Sequence, residues 1–163
     1  MIKEIKGDAV QMLLDKQVNY LIHCANCQVK MGSGIALQIK KKIPQAYEAD
    51  VEFDKRFHRD RLDGINKLGL TTFGKIGSNH GVINIYGQYE PQQTGRAVNY
   101  EALAKGFDSV AKLVFGYPTE TICLPKLLGC DRAGGDWRIV RSMLDVYFGD
   151  IPNEVYIVEW DKN

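Results

Sequence analysis

Short apolar runs alternate with stretches of helical period from one end of the sequence to the other. Met1 to Lys6 reads as a first strand, and Gly7-Asp8 opens a short helix whose apolar residues are Val10, Leu13 and Leu14. Val18 to Cys24 is apolar enough for a buried strand. From Gly34 a helix sets Ile35, Ile39 and Ile43 on one stripe and leaves Lys40, Lys41 and Lys42 on a solvated face. Pro44 then starts another helix that runs through Tyr47. Leu70 to Ile76 and Val82 to Tyr86 are strands joined by Gly77-Ser78-Asn79-His80-Gly81, a connection suited to a hairpin. A helix from Asn99 carries Leu103, Phe107, Val110 and Val114 at helical spacing, and Thr121 to Leu124 is a further strand. A last helix from Trp137 aligns Val140, Leu144 and Tyr147, and Glu154 to Trp160 is the closing strand. This alternation predicts an α/β fold with helices packed on a central mixed sheet, the hairpin supplying the antiparallel pair.

Two of the loops that follow strands are rich in glycine. Leu21 to Cys24 leads through Ala25-Asn26-Cys27-Gln28-Val29-Lys30 into Met31-Gly32-Ser33-Gly34-Ile35-Ala36, where a helix begins at a glycine. Ile122-Cys123-Leu124-Pro125 leads through Lys126-Leu127-Leu128 into Gly129-Cys130-Asp131-Arg132-Ala133-Gly134-Gly135-Asp136-Trp137. Unpaired amides at a helix start, its positive dipole end and glycines that admit a close backbone approach together suit an anion. A nucleotide diphosphate is the ligand such a pair of loops is expected to clasp, since open α/β sheets bind ligands beyond the carboxyl ends of their strands. The first loop has neither the lysine of a P-loop nor the spacing of a Rossmann turn, so kinase and dehydrogenase readings are weak.

The 163 residues suffice for one domain spanning 1–163, and 21 Lys+Arg against 20 Asp+Glu give a formal charge of +1. No global field favours nucleic acid or a membrane surface, so anion binding has to be local. No apolar run approaches the roughly 18 residues of a membrane span, and the charged start Met1-Ile2-Lys3-Glu4 is no export signal; a cytoplasmic monomer is expected. Cys24, Cys27, Cys123 and Cys130 are read as reduced thiols. They form no second C-x2-C pair, so no metal site is expected.

Several residues have a plain and a chemical role open to them. Asp8, between strand and helix, caps the helix or accepts a hydrogen bond from an adenine amino group, the cap being favoured by chemistry alone. Asp136, before Trp137, has the same ambiguity. His23 is a core histidine or a proton-transfer group beside a phosphate, and spacing does not separate the two. A Cys24 or Cys27 nucleophile with His23 as base is disfavoured, because adjacent strand residues point to opposite faces and His23 and Cys24 do not meet. Arg132 pairs with a phosphate or lies on the surface, and Tyr86 and Tyr89 stack on a ligand or belong to the core margin.

Four segments in order, Gly7-Asp8, His23-Cys24-x-Asn26-Cys27 through Ala36, Asn84-Ile85-Tyr86-Gly87-Gln88, and Gly129 through Trp137, resemble those of macrodomains, the α/β/α modules that bind ADP-ribose. The resemblance implies a three-layer fold and the following roles. Asp8, with Ala9, would hold the adenine; amides around Ser33, Gly34 and Ile35 would take the diphosphate together with those of Arg132, Ala133, Gly134 and Gly135; Asn26 and Gly32 would border the distal ribose. Met31, Tyr86, Gln88, Gly129 and Cys130 join the implied ligand set. The chain looks like the compact branch that contains ADP-ribose 1''-phosphate phosphatases and hydrolases of ADP-ribosyl-glutamate. Those hydrolases use a lysine and an aspartate where this chain has Gln88 and Ala133, while the phosphatase-like members share a histidine where His23 stands. The expected function is therefore a cofactor-free phosphatase acting on ADP-ribose 1''-phosphate, with His23 as acid, base or phosphate-orienting group and Asp131 or Asp136 as the carboxylate. The alternatives are a non-catalytic reader of ADP-ribose and a hydrolase that frees ADP-ribose from protein, nucleic acid or an acetyl ester. The expected partner is accordingly ADP-ribose, a derivative of it or an ADP-ribosylated macromolecule.

Overall fold

The structure, a computed structural model, describes residues 1–57, 64–91 and 95–161. In chain order the elements are β1 (Ile2–Gly7), α1 (Ala9–Leu14), β2 (Tyr20–Asn26), α2 (Gly34–Lys42), α3 (Pro44–Phe57), a 3-10 turn (Ile65–Lys67), β3 (Thr71–Gly77), β4 (His80–Gln88), α4 (Tyr100–Phe115), β5 (Ile122–Pro125), α5 (Trp137–Phe148) and β6 (Val155–Trp160). The strands form one sheet in the order β1-β6-β5-β2-β4-β3. Every neighbouring pair is parallel except β3 and β4, the expected hairpin, so the sheet is mixed as predicted. The carboxyl ends of β1, β6, β5, β2 and β4 therefore share one edge.

Alternation along the strands builds two cores. Ile22, Ile83, Ile85, Leu124 and Ile157 face α4 and α5, where Leu103, Phe107, Val140, Leu144 and Phe148 meet them. Leu21, Val82, Cys123 and Val158, each one residue away, face α1, α2 and α3 through Val10, Leu13, Ile39, Ile43 and Ala46. This is the α/β/α arrangement. In α5 the third core position is Phe148 rather than Tyr147, which is only half-buried.

The helix predicted from Pro44 through Tyr47 continues to Phe57. Its buried face is Ala46, Asp50 and Asp54, so two carboxylates occupy positions where a helical stripe is ordinarily apolar. They are satisfied from the sheet side. Tyr86 donates to Asp50 over 2.8 Å, and the fully buried Lys67 ammonium lies 2.6 Å from Asp54. Burial raises the Asp50 carboxyl above its ordinary value, against the pull of the Tyr86 hydroxyl and of Lys67.

Candidate ligand-binding cleft

A cleft of about 830 Å³ opens at the shared carboxyl edge, walled on one side by the β2–α2 loop and on the other by the loop after β5. Cys24 and Asn26 from β2, Gln88 from β4 and Trp160 from β6 also line it.

The first wall is organised by Asn26. Its Oδ1 accepts from the amides of Gln28 (3.0 Å) and Lys30 (3.2 Å), and its Nδ2 donates to the Lys30 carbonyl over 2.6 Å. Asn26 is thus spent on the loop. Ser33 caps α2 in extended conformation without a side-chain capping bond, and Gly34 enters the helix with φ +56°. The first helical bond runs from the Leu37 amide to the Ser33 carbonyl, so the amides of Gly34, Ile35 and Ala36 stand at the cleft wall with no partner among the described residues.

The second wall is a tight turn sequence with left-handed backbone at Leu127 (φ 68°), Gly129 (φ 73°) and Gly134 (φ 72°). The Gly135 amide donates to the Gly129 carbonyl over 3.0 Å, and the Gly134 amide approaches the Asp131 carbonyl at 3.4 Å. The loop holds itself with these two and with the Cys130 amide, which donates to the Leu127 carbonyl over 2.7 Å. The amides of Arg132 and Ala133 stay free of protein partners among the described residues, so the second wall's donors are narrower than the expected run from Arg132 to Gly135. A Cβ at Gly134 would stand 2.5 Å from the Gly95 carbonyl oxygen, a close approach that requires glycine.

The chemistry expected of His23 is corrected by its position. Strand pairing sets it opposite Asn84 in the middle of the sheet, fully buried on the α3 face and outside the cleft wall. Asn84 donates its amide to the Ala46 carbonyl and to Thr72 Oγ1, leaving Oδ1 to accept from His23 Nε2 at 2.6 Å. That bond fixes the proton on Nε2, and Nδ1 is left without a partner among the described residues. Burial pushes the ring down to about 4, so it is neutral at physiological pH and out of reach of a cleft ligand.

Tyr86 is likewise corrected: it is fully buried, bonded to Asp50 and Thr72 and stacked on Phe53 at 5.5 Å between centroids. Asp136 is the N-cap of α5, accepting from the Arg138 amide at 2.9 Å and pairing with its guanidinium at 2.8 Å. It faces the groove between α4 and α5 rather than the cleft, which removes it as the catalytic carboxylate. Asp8 caps α1 with one carboxylate oxygen, Oδ1, which accepts from the Gln11 amide at 3.1 Å. Ala9 and Met31 bury their side chains in the core beneath α1 and α2, and half-buried Cys130 packs against the α4–α5 core. None of these three lines the cleft, nor do Gly134 and Gly135.

Gly32, Ser33, Gly34, Ile35, Gln88, Gly129, Asp131, Arg132 and Ala133 do line it. Gln88 is held by its own amide, which donates to the Glu90 carbonyl at 2.7 Å. Asp131 is the one carboxylate on the wall among the described residues, against the cations Lys30, Lys126 and Arg132. Lys126 lies 3.5 Å from Glu159. Burial raises the Cys24 thiol to about 12, so the wall's cysteine is protonated and no nucleophile. Lys30, Lys126 and Trp160 were missed as site residues. Lys126 directly follows a strand at the very edge where loops gather, and that rule alone points to it.

The Macro domain family model matches residues 22–144, which include both glycine-rich walls and the strands that carry them. The chain belongs to the Macro domain family. A protein of Enterobacteria phage T4, described as a 17.5 kDa protein in the tk-vs intergenic region, is 30% identical to this macro domain over 167 residues, covering 99% of this chain and 97% of its own. A DNA ADP-ribosyl glycohydrolase of Mycobacterium tuberculosis is 24% identical over 86% of this macro domain, which spans only 38% of that enzyme. Among solved structures, Thermosipho africanus DarTG in complex with ADP-ribose superposes with a TM-score of 0.75 at 15% identity, over 99% of this chain and 42% of that one. Among the described residues no helix is long and apolar enough to cross a membrane.

Proposed function

We propose that this macro domain binds ADP-ribose in the cleft and hydrolyses ADP-ribose 1''-phosphate there to ADP-ribose and inorganic phosphate. The observation that carries the binding is the pair of facing walls, each presenting backbone amides without partners among the described residues: Gly34, Ile35 and Ala36 on one, Arg132 and Ala133 on the other. A diphosphate is the anion whose length and charge suit donors on two sides, and the Thermosipho relative's ADP-ribose complex supports the same ligand.

For the reaction, Asp131 is the residue able to take a proton from a water that attacks the phosphorus and to return it to the ribose oxygen, which departs as a hydroxyl as the new phosphorus–oxygen bond forms. The wall's excess of cations over carboxylates suits a phosphate-bearing substrate. A second reading, hydrolysis of an ADP-ribosyl link to a macromolecule, draws support from the name of the Mycobacterium tuberculosis relative.

The test is a phosphorus NMR time course with ADP-ribose 1''-phosphate, run beside an ADP-ribosylated oligonucleotide. Release of inorganic phosphate, slowed at least about 100-fold in Asp131→Asn with ADP-ribose affinity held within about threefold, is the expected result. Cleavage of the oligonucleotide alone transfers the reading to the glycosidic link. Binding with neither turnover makes the protein a reader of ADP-ribose, and no binding of ADP-ribose refutes the proposal.

A further inference from the structure

Lys30 is an exposed side chain on a backbone held from several sides. Both its amide and its carbonyl are bonded to the side chain of Asn26, itself only 8% exposed. The preceding residue, Val29, sits at φ +57°, a left-handed conformation that a β-branched residue adopts only when its surroundings impose it. The loop thus spends the Asn26 side chain and local strain to fix the point from which Lys30 extends along the cleft wall.

The Lys30 ammonium is matched by no anion among the described residues. Lys126, on the facing wall, has Glu159, while Arg132, like Lys30, forms no ion pair among the described residues. No carboxylate among the described residues forms an ion pair with Lys30. Nor does the diphosphate need it, since unpartnered amides already stand on both walls. We infer that Lys30 is a specificity-determining residue: it pairs with a second anionic group of the ligand, a phosphate carried on the ribose, and so separates ADP-ribose bearing that phosphate from ADP-ribose without it. The inference rests on the cleft being an ADP-ribose site. It goes further in naming the residue that reads the substituent.

The experiment is displacement of a fluorescent ADP-ribose analogue, read within seconds of mixing so that turnover does not intrude. The competitors are ADP-ribose, ADP-ribose 1''-phosphate and an ADP-ribosylated single-stranded oligonucleotide, against wild type, Lys30→Gln and Lys30→Arg. Lys30→Gln is expected to weaken ADP-ribose 1''-phosphate at least about tenfold, the loss of one charge-assisted contact, while ADP-ribose stays within about twofold. Lys30→Arg restores most of the difference. An equal loss for all competitors places Lys30 on the diphosphate and overturns the inference, as does no loss for any. A loss confined to the oligonucleotide overturns the assignment to a ribose phosphate. If wild type fails to bind ADP-ribose itself, the ADP-ribose reading falls, and this inference with it.

Discussion

Gly34 enters α2 with a left-handed backbone and has nothing within 4 Å of the place where a Cβ would stand, so Gly34→Ala perturbs conformation without creating a clash. For a residue with a Cβ the left-handed well costs about 1–2 kcal/mol, and the entropy alanine removes from the unfolded chain adds to native stability by about half of that or less, leaving a net cost of about 1 kcal/mol. That cost has two places to appear. If the loop keeps its shape, the folded protein loses the whole amount, and a domain of this size melts about 2–4 °C lower. If the loop relaxes to φ below zero, stability is spared, but the amides of Gly34 and Ile35 leave their positions and ADP-ribose binding falls about fivefold or more. The bound state needs the left-handed turn in either case, so the losses of unfolding and binding free energy sum to at least about 1 kcal/mol. Thermal unfolding and calorimetric titration with ADP-ribose on the same sample measure both. Gly116→Ala is the control, at the end of α4 with an ordinary φ of −75° and equally open space. A Gly34→Ala protein equal to wild type in melting temperature and in affinity refutes the argument that this turn is built for the ligand.

Two other substitutions test the sheet's α3 face. His23 is held neutral with its pKa near 4 against an ordinary 6.5, so the unfolded state binds the extra proton; its contribution to stability is complete above about pH 6.5 and is lost as pH falls toward 4. The loss across that window is about 3 kcal/mol, and His23→Gln is expected to flatten this part of a urea-unfolding profile against pH; a His23 ring that titrates near 6.5 by NMR contradicts it. The same variant leaves kcat within about threefold, where a proton-transfer role would cost 100-fold or more. Lys67→Met withdraws the buried ammonium from Asp54 and is expected to cost about 3 kcal/mol in denaturant unfolding, while a cost under about 1 kcal/mol shows the pair to be dispensable.

The strands and the two glycine loops were legible because their signals are local: apolar runs ending in glycine-rich polar segments recur, and each falls at a carboxyl edge. The length of α3 was not. Its core-facing positions carry Asp50 and Asp54, whose partners Tyr86 and Lys67 lie more than ten residues further on, so a periodic reading of hydrophobicity stops at Tyr47. His23 failed for a related reason. Its position in the chain matches a strand end, but β2 runs on to Asn26, and alternation then turns the ring toward α3. Asn26 lines the cleft, yet its side chain serves Lys30 and Gln28 rather than standing free, a fact that depends on the loop's own folded path. Trp160 read only as the end of an apolar strand, and its place on the cleft wall appears once the sheet order sets β6 beside β5.

The first strand of the sheet has a single hydrogen-bonding neighbour, and that neighbour is the last: Gly7 pairs with Trp160 across nearly the full length of the chain. During synthesis β1 therefore waits with its edge unsatisfied until β6 has emerged from the ribosome, a contact of very high sequence separation that slows closure and prolongs exposure of a pairing-competent edge. Because β6 also brings Trp160 to the cleft, the last piece of the cleft's lining arrives with the strand that completes the sheet.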